Sequence, residues 1–150
     1  MPVIIVGADT AEGNAIAQRM TSPEREVRVF VSDPGAAERL RALGAKAATG
    51  DVSDASHIEG ASLAAFTAVL CTTAATDDRE RSFARDRAEV LSSWIEAVAA
   101  AGVRRVIWVD VDDPPRSRCA EDVVVDGSLP IESLVNQVVD LDAAQTIPTR

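Results

Sequence analysis

The hydrophobic positions of the first 33 residues alternate between short apolar runs and a helical stripe. "VIIVG" (3–7) is an apolar run that ends in glycine, and "EVRVFVSD" (26–33) is rich in β-branched residues. Both patterns are typical of buried strands. The small and apolar residues of 11–20 favour a helix packed closely on a sheet. This order of strand, helix and strand predicts the first unit of a parallel sheet.

The alternation continues to residue 111. "PGAAERLRALGA" (34–45) predicts a helix that stops at Gly44, and "KAATGDVSD" (46–54) predicts a short third strand leading into a turn. "FTAVLCTTA" (66–74) and "VRRVIWVDV" (103–111) predict the fourth and fifth strands. The longest helix is predicted from about Arg79 to Ala101, ending at Gly102. Its apolar stripe consists of Phe83, Val90, Leu91, Trp94, Ile95 and Val98.

The pattern assigns residues 115–150 less clearly than the rest of the chain. "DDPP" (112–115) interrupts the fifth strand, and "EDVVVDG" (121–127) fits either a sixth strand or the end of a helix. "IESLVNQVVDL" (131–141) has apolar residues at helical spacing, and the residues after it resemble a tail. The whole pattern predicts one α/β domain, 1–150, with a doubly wound, mostly parallel, Rossmann-like sheet.

The composition excludes some classes of function but does not identify a single one. The 150 residues are 47% hydrophobic and 26% charged, as in ordinary soluble domains. A net charge of −9 argues against nucleic acids and anionic membranes as partners. No apolar run could span a bilayer, and no basic region precedes the first run, so a cytoplasmic protein is expected. The acid-rich segment 110–142 is interpreted as a solvated acidic face rather than a site for a basic partner.

Sulfur, histidine and clustered carboxylates offer little chemistry. Cys71 and Cys119 are far apart in the chain, which favours reduced thiols, and His57 is the single histidine, which argues against zinc. His57 follows a polar turn, and a surface histidine is favoured over a general base. The acids at 110, 112 and 113 could offer oxygen ligands to Mg²⁺, but a solvated turn is the favoured interpretation.

The segment "VGADTAEG" (6–13) resembles a phosphate-binding turn that has been altered. Gly7 and Gly13 suit a sharp turn and a close approach of helix and strand, while Thr10 occupies the place of a third glycine. Asp9 and Glu12 have the spacing of a capping box, in which side chains satisfy the amides of the helix. The segment is therefore either a phosphate-binding turn weakened by two carboxylates or a turn that caps itself.

Five stretches in this order resemble the atypical short-chain dehydrogenase/reductases, the NmrA-like and NAD(P)H-binding group. They are "VIIVGADTAEG", "VRVFVSDP", "LGAKAATGDVSD", "FTAVLCTTA" and "AGVRRVIWVDV", and the resemblance covers about Pro2 to Pro114. It implies a dinucleotide held by four loops: by the first turn at the pyrophosphate, then at the adenosine ribose, the adenine and the middle of the cofactor. By position the implied residues are Gly7, Asp9, Thr10 and Gly13, then Ser32 and Asp33, then Asp51 and Val52, then Thr72, Thr73 and Ala74.

The chain also departs from that family. Thr10 replaces the middle glycine, Ser32 replaces a cationic residue frequent at the second strand, and no Tyr-x-x-x-Lys pair exists because the chain has no tyrosine. Family members usually continue into a substrate-binding region that little after Pro114 could build. The resemblance therefore implies a degenerate and truncated member, with no catalytic residue assigned.

The identity of the cofactor is predicted from the second strand. Asp33 lies 20 residues after Gly13, a distance that suits a bond to a ribose 2′-hydroxyl, although it equally suits a cap for the following helix. NAD is therefore favoured over NADP, with binding weak or absent. Arg39 and Arg41 on the next helix could still reach a 2′-phosphate.

The sequence is compatible with three functions. The first is a catalytically reduced NAD(P)-binding protein with a sensing or scaffolding role. The second is a ligand-free interaction protein that forms a homo-oligomer, which the stripe around Trp94 would favour. The third is an oxidoreductase that acts through non-standard residues such as the acids after the fifth strand.

Overall fold

The computed structural model describes residues 1–76 and 81–150, and it confirms the predicted fold class. Within these residues, six strands form one sheet in which every neighbouring pair is parallel, in the order β3-β2-β1-β4-β5-β6. The strands are β1 (Val3–Val6), β2 (Val27–Val31), β3 (Lys46–Thr49), β4 (Thr67–Cys71), β5 (Arg105–Asp110) and β6 (Glu121–Asp126). This is the Rossmann order, with right-handed crossovers expected between parallel strands.

Helices cover both faces of the sheet and bury two hydrophobic clusters. One face carries α1 (Ala11–Met20), α2 (Pro34–Ala42) and α6 (Ile131–Ala143), and the other carries α3 (Ala55–Ser62), α5 (Arg87–Ala100) and the short α4 (Thr73–Thr76). Because both faces are covered, β1 and β4 are buried at every residue, as expected for central parallel strands. No helix in the described part of the chain is long and apolar enough to cross a membrane.

The direction of chain winding reverses between β1 and β4. β1 is paired with β2 on one side and with β4 on the other, so that Val6 lies between Phe30 and Leu70. The crossovers leave these strands toward opposite sheet edges, which opens a crevice at their carboxyl ends. This position is where an open α/β sheet binds its ligands.

The long helix is shorter than its sequence pattern predicts. α5 begins at Arg87 rather than near Arg79, because the Asp86 side chain accepts a hydrogen bond from Glu89 N (3.0 Å) and caps the helix there. Residues 79 and 80 lie outside the described residues. Phe83 precedes the helix and is 68% exposed, so its inclusion in the stripe was wrong.

The rest of the α5 stripe is buried within the monomer. Trp94 has no exposed surface, and its indole N–H donates to Val52 O at 2.7 Å, while Ile95 is half-buried. The stripe therefore packs against the sheet and α3 rather than forming an outer apolar surface. Self-association stays a prediction that this stripe no longer supports.

Two further elements differ from the sequence expectations. The turn predicted after β3 contains α3, which Asp54 caps by accepting from His57 N at 3.2 Å. His57 is exposed in the first turn of α3, where its ring packs edge-to-face with Phe30, so a surface histidine is confirmed.

The fourth strand ends at Cys71 instead of continuing to Ala74. The alternative left open for 121–127 is resolved as a strand.

The interpretation of segment 110–142 as a solvated acidic face is wrong for four of its acids, Asp110, Glu121, Asp122 and Asp142, which are largely buried, whereas Asp113 is paired but exposed. Arginines from elsewhere in the sequence pair with them, which spacing along the chain cannot reveal. The pairs are Arg87–Asp110, Arg150–Asp113, Arg105–Glu121, Arg150–Asp122 and Arg25–Asp142. After β5, Asp110 is salt-bridged to Arg87 and accepts from Asp112 N at 3.0 Å, and Asp113 is paired with Arg150. No metal-binding cluster occurs among the residues of 1–76 and 81–150.

The last residues are packed rather than forming a loose tail. Ile147 is only 9% exposed, and its N–H donates to the Glu121 carboxylate at 3.1 Å. Arg150 donates from its backbone N to Asp122 O at 3.1 Å and from its Nε to the Asp122 carboxylate at 2.6 Å. This segment therefore covers the start of the free edge of β6, an edge that would otherwise expose unpaired backbone groups there. Both cysteines are free thiols, as expected.

Candidate functional site

Two glycines let the turn after β1 lie close to its neighbours. Gly7 has a φ of +84°, and a Cβ there would lie 2.9 Å from both Ala74 Cβ and Cys71 O. A Cβ on Gly13 would lie 2.1 Å from Gly7 O. The first glycine therefore makes the sharp turn, and the second lets α1 pack against the backbone of that turn.

Thr10 is the residue that caps α1. Its Oγ1 donates to Gly7 O at 2.7 Å and accepts from Gly13 N at 3.0 Å. The predicted capping box of Asp9 and Glu12 is therefore wrong, since Thr10 already supplies the acceptor and Asp9 faces β2. Within the described residues, no hydrogen bond reaches the amides of Ala11 and Glu12. Two free N–H groups at a helix N-terminus form a site that favours an anion.

Asp9 ties this turn to the carboxyl end of β2. Its Oδ2 accepts from Ser32 N at 2.9 Å and from Asp33 N at 3.2 Å. Asp33 Oδ1 accepts from Gly35 N at 3.0 Å, which confirms the capping alternative without excluding a ribose contact by the same exposed side chain. Asp9, Ser32, Asp33 and Pro34 border an open cavity of about 440 Å³. This cavity is called the ribose cleft below, after the group that the family resemblance implies at this position.

A second, smaller cleft lies on the other side of the turn, at the ends of β4 and β5. Its volume is about 100 Å³, and Thr72 and Thr73 contribute to its lining. Thr72 is buried and bonded to Val109 O at 3.1 Å, while Thr73 is exposed. One carboxylate oxygen of Glu12 also lines this cleft, shielded from solvent and with no hydrogen-bond partner in the described residues. Glu12 therefore brings a carboxylate to the first turn of α1, the turn that contains the two free amides.

The Asp51–Val52 pair is occupied by protein contacts. Asp51 accepts from Ser53 N (2.7 Å), Ser53 Oγ (2.6 Å) and Ser82 N (2.7 Å), and Val52 O accepts from Trp94. Partial burial opposes ionisation of Asp51, but the hydrogen bonds from Ser53 and Ser82 outweigh it and lower its pKa. An adenine amine at this position would have to share or displace the bond from Ser82.

The structure therefore divides the predicted site residues into three groups. The first group is one connected rim formed by Gly7, Asp9, Thr10, Gly13, Ser32 and Asp33. In the second group, Thr72 and Thr73 border the smaller cleft, and Ala74 is buried behind Gly7. The third group is Asp51 and Val52, which are hydrogen-bonded to Ser53, Ser82 and Trp94. The free amide of Ala11 was missed, because an alanine carries no side-chain signal. Arg87, which pairs with Asp110 at the smaller cleft, was missed because it lay inside the overextended helix.

The residues of the rim fit the ADP half of a dinucleotide better than the nicotinamide half. Two free amides lie at the start of α1, where a phosphate could accept from them, and two carboxylates border the cavity of Asp9 and Asp33. Glu12 opposes a nearby phosphate by charge, and the chain has no tyrosine to exchange a proton with a substrate. A larger cavity of about 480 Å³ lies at the amino ends of β2 and β3, away from the turn, and no helix begins at its lining residues.

Comparison with known proteins places these features in context. The model of the NAD(P)H-binding family matches residues 7–117. No curated protein matches the chain. This match agrees with the resemblance seen in the sequence from Pro2 to Pro114.

Three solved structures share the fold. ChuY, an anaerobillin reductase from Escherichia coli O157:H7, is 23% identical with a TM-score of 0.56, over 73% of this chain and 50% of that one. An NADPH-dependent quinone oxidoreductase from Escherichia coli, solved with NADPH, is 23% identical with a TM-score of 0.57, over 72% and 36%. Serine dehydrogenase from Escherichia coli is 16% identical with a TM-score of 0.69, over 99% and 95%. The present chain thus spans half or less of the first two proteins.

Proposed function

The chain belongs to the NAD(P)H-binding family, and from that premise we propose that it binds a nicotinamide dinucleotide weakly, with NAD preferred over NADP. The observation that carries the proposal is the pair of free amides at Ala11 and Glu12, in the first turn of α1, directly after the turn whose Asp9 borders the ribose cleft. A phosphate accepts hydrogen bonds from such amides and gains from the helix dipole. Asp33 at the far side of the cleft suits a ribose hydroxyl donor.

Weak binding follows from two features of the same site. The Glu12 carboxylate stands next to the free amides, and like charges in a partly desolvated cleft repel. Asp51 already accepts hydrogen bonds from Ser53 and Ser82, so an adenine gains less there. A protein that holds its cofactor weakly responds to changes in cofactor concentration, which suits the proposed sensing or scaffolding role.

Removing one free amide is expected to weaken dinucleotide binding without unfolding α1. Ala11 is the first residue of the helix, where proline is tolerated, and Thr10 before it is extended (φ −83°, ψ 163°), as a residue before proline requires. We expect Ala11→Pro to lower the affinity for NADH about tenfold, since one charge-assisted hydrogen bond is lost. Isothermal titration calorimetry with NAD, NADH, NADP and NADPH measures this effect.

Ala11→Gly is the matched control, because it changes the same side chain and keeps the N–H. Its affinity for NADH is expected to be within about twofold of that of the unchanged protein, a difference in binding free energy smaller than RT. Equal affinities of the Pro and Gly variants would show that the Ala11 N–H does not bind the dinucleotide. Absence of binding by the unchanged protein at millimolar dinucleotide would contradict the proposed function.

The chain alone is expected to show no ordinary carbonyl or alcohol turnover. A bound nicotinamide supplies hydride transfer, but the substrate oxygen also needs a proton donor. The chain has no tyrosine, its one lysine is Lys46 at the start of β3, and arginine stays protonated. Following NAD(P)H absorbance over carbonyls, alcohols and quinones tests this. Repeated turnover of a carbonyl that Ala11→Pro abolishes would require a donor among other residues of this chain.

A further inference from the structure

The geometry points to Asp9 as a residue that selects against a 2′-phosphate, so that the ribose cleft accepts only dinucleotides with a free 2′-hydroxyl. This inference rests on the proposed function and identifies a determinant of cofactor choice that lies outside β2. The backbone amides of Ser32 and Asp33 lie at the β2–α2 junction. An adenosine 2′-phosphate would have to meet these amides or a nearby cation.

Those amides are already occupied by a carboxylate of the chain itself. Asp9 Oδ2 accepts from both Ser32 N (2.9 Å) and Asp33 N (3.2 Å). Two adjacent amides converging on one oxygen form a small anion site. Asp9 therefore occupies the place, and supplies the charge, that a 2′-phosphate would need to bring. A phosphate could enter only by displacing Asp9 into solvent.

The remaining groups of the cleft suit a hydroxyl better than a phosphate. Asp33 adds a second carboxylate on the exposed side, and carboxylates accept hydrogen bonds from hydroxyls but repel phosphate. Ser32 Oγ borders the same cleft, shielded from solvent, and no hydrogen bond reaches it within the described residues. A serine hydroxyl can both donate and accept, so it suits one hydroxyl of a ribose diol.

Arg39 is the cation that could oppose this selection. Arg39 and Asp33 both lie next to Gly35. A Cβ added to Gly35 would be 3.6 Å from Arg39 Nη1 and 3.5 and 3.6 Å from the two Asp33 carboxylate oxygens. Arg39 is exposed, so water and salt screen its attraction for a phosphate. Arg41 donates to Ala47 O at 2.8 Å, toward β3. Asp9, bonded to two amides, is fixed more firmly than either guanidinium.

The test compares ADP-ribose with its 2′-phosphorylated form by calorimetric titration. The unchanged protein is expected to bind ADP-ribose at least about tenfold more tightly than the 2′-phosphate form. Asp9→Asn removes the charge and keeps one acceptor oxygen, and it should reduce that ratio about tenfold, mainly by improving binding of the phosphorylated ligand. Asp54→Asn is the matched control, since Asp54 caps α3 by accepting from His57 N, and its ratio should not change.

Each outcome separates this inference from the proposed function. If Asp9→Asn binds ADP-ribose normally but keeps the original ratio, Asp9 does not select the ligand, although the dinucleotide site stands. If the unchanged protein binds neither ligand, both the site and the selection are wrong. If Asp9→Asn fails to fold, Asp9→Ser is measured instead, because its shorter side chain also removes the charge and frees both amides. If Asp9→Asn leaves the ratio unchanged and Arg39→Gln weakens binding of the 2′-phosphate form, Arg39 rather than Asp9 sets the response to the 2′-phosphate, and the inference is wrong.

Discussion

Replacing Arg105 with methionine is expected to cost about 3 to 5 kcal/mol of unfolding free energy, the range for removing one partner of a buried ion pair. The Arg105 side chain has no exposed surface, and its Nη2 contacts both Glu121 oxygens at 3.1 and 3.2 Å. Its Nη1 donates to Leu141 O and Ala144 O, both at 2.7 Å, near the end of α6. Methionine fills similar space but removes the donor to these carbonyls and, among the described residues, leaves Glu121 with only the Ile147 N–H at 3.1 Å and Arg104 at 3.6 Å.

Arg104→Met is the matched control for this prediction. Arg104 is the preceding residue and also faces Glu121, but at 3.6 Å and with 62% of its side chain exposed. Screened pairs of this kind contribute about 1 kcal/mol or less, so urea unfolding followed by circular dichroism should separate the two variants clearly. Burial opposes ionisation of Glu121, yet its hydrogen bonds to Arg105 and Ile147 lower its pKa. Equal losses in both variants would contradict the structural role given to Arg105.

Gly13→Ala is expected to destabilise the protein by about 3 kcal/mol or more, at the upper end for overpacking. The added Cβ would lie 2.1 Å from Gly7 O and 2.9 Å from Ala8 Cα, both backbone atoms that no side-chain rotation can move. Relief therefore requires α1 to shift away from β1. The same shift would misplace the free amides of Ala11 and Glu12, so dinucleotide binding should be lost with stability.

Gly60→Ala tests whether the effect belongs to the contact rather than to the residue type. Gly60 lies within α3, and a Cβ there would meet no atom within 4 Å. Alanine is the better helix former, so this variant should gain about 0.5 to 1 kcal/mol in chemical denaturation. If Gly13→Ala were as stable as Gly60→Ala, the close approach of α1 and the turn would not exist in solution.

The sequence predicted the sheet well because parallel strands in a covered sheet leave a strong local signal. Runs such as "VIIVG" and "VRRVIWVDV" are apolar throughout, and glycines mark the helix ends at 44 and 102. The start of α5 was placed too early because the pattern extends past the cap at Asp86. Helix α3 was missed because its eight residues carry two buried side chains, too few for a periodic stripe.

The site was less predictable because its chemistry depends on contacts between distant segments. Spacing assigned Asp9 to a capping box with Glu12, whereas its carboxylate lies across the crevice on the amides of Ser32 and Asp33. The arginine partners of segment 110–142 come from residues 25 to 150, so counting local charge gave the wrong picture of that surface. Gly7 and Gly13 were placed correctly because close packing demands glycine at those positions.

The central claim is that the first turn of α1 holds the phosphates of a dinucleotide beside the ribose cleft. A titration of ¹⁵N-labelled protein with NADH, followed through backbone amide chemical shifts, tests it most directly. We predict saturable shifts concentrated at Ala11 and Glu12, with smaller ones at Ser32 and Asp33. Shifts confined to the cavity at the amino ends of β2 and β3, around Glu24 and Leu43, or no shifts at millimolar NADH, would contradict the claim.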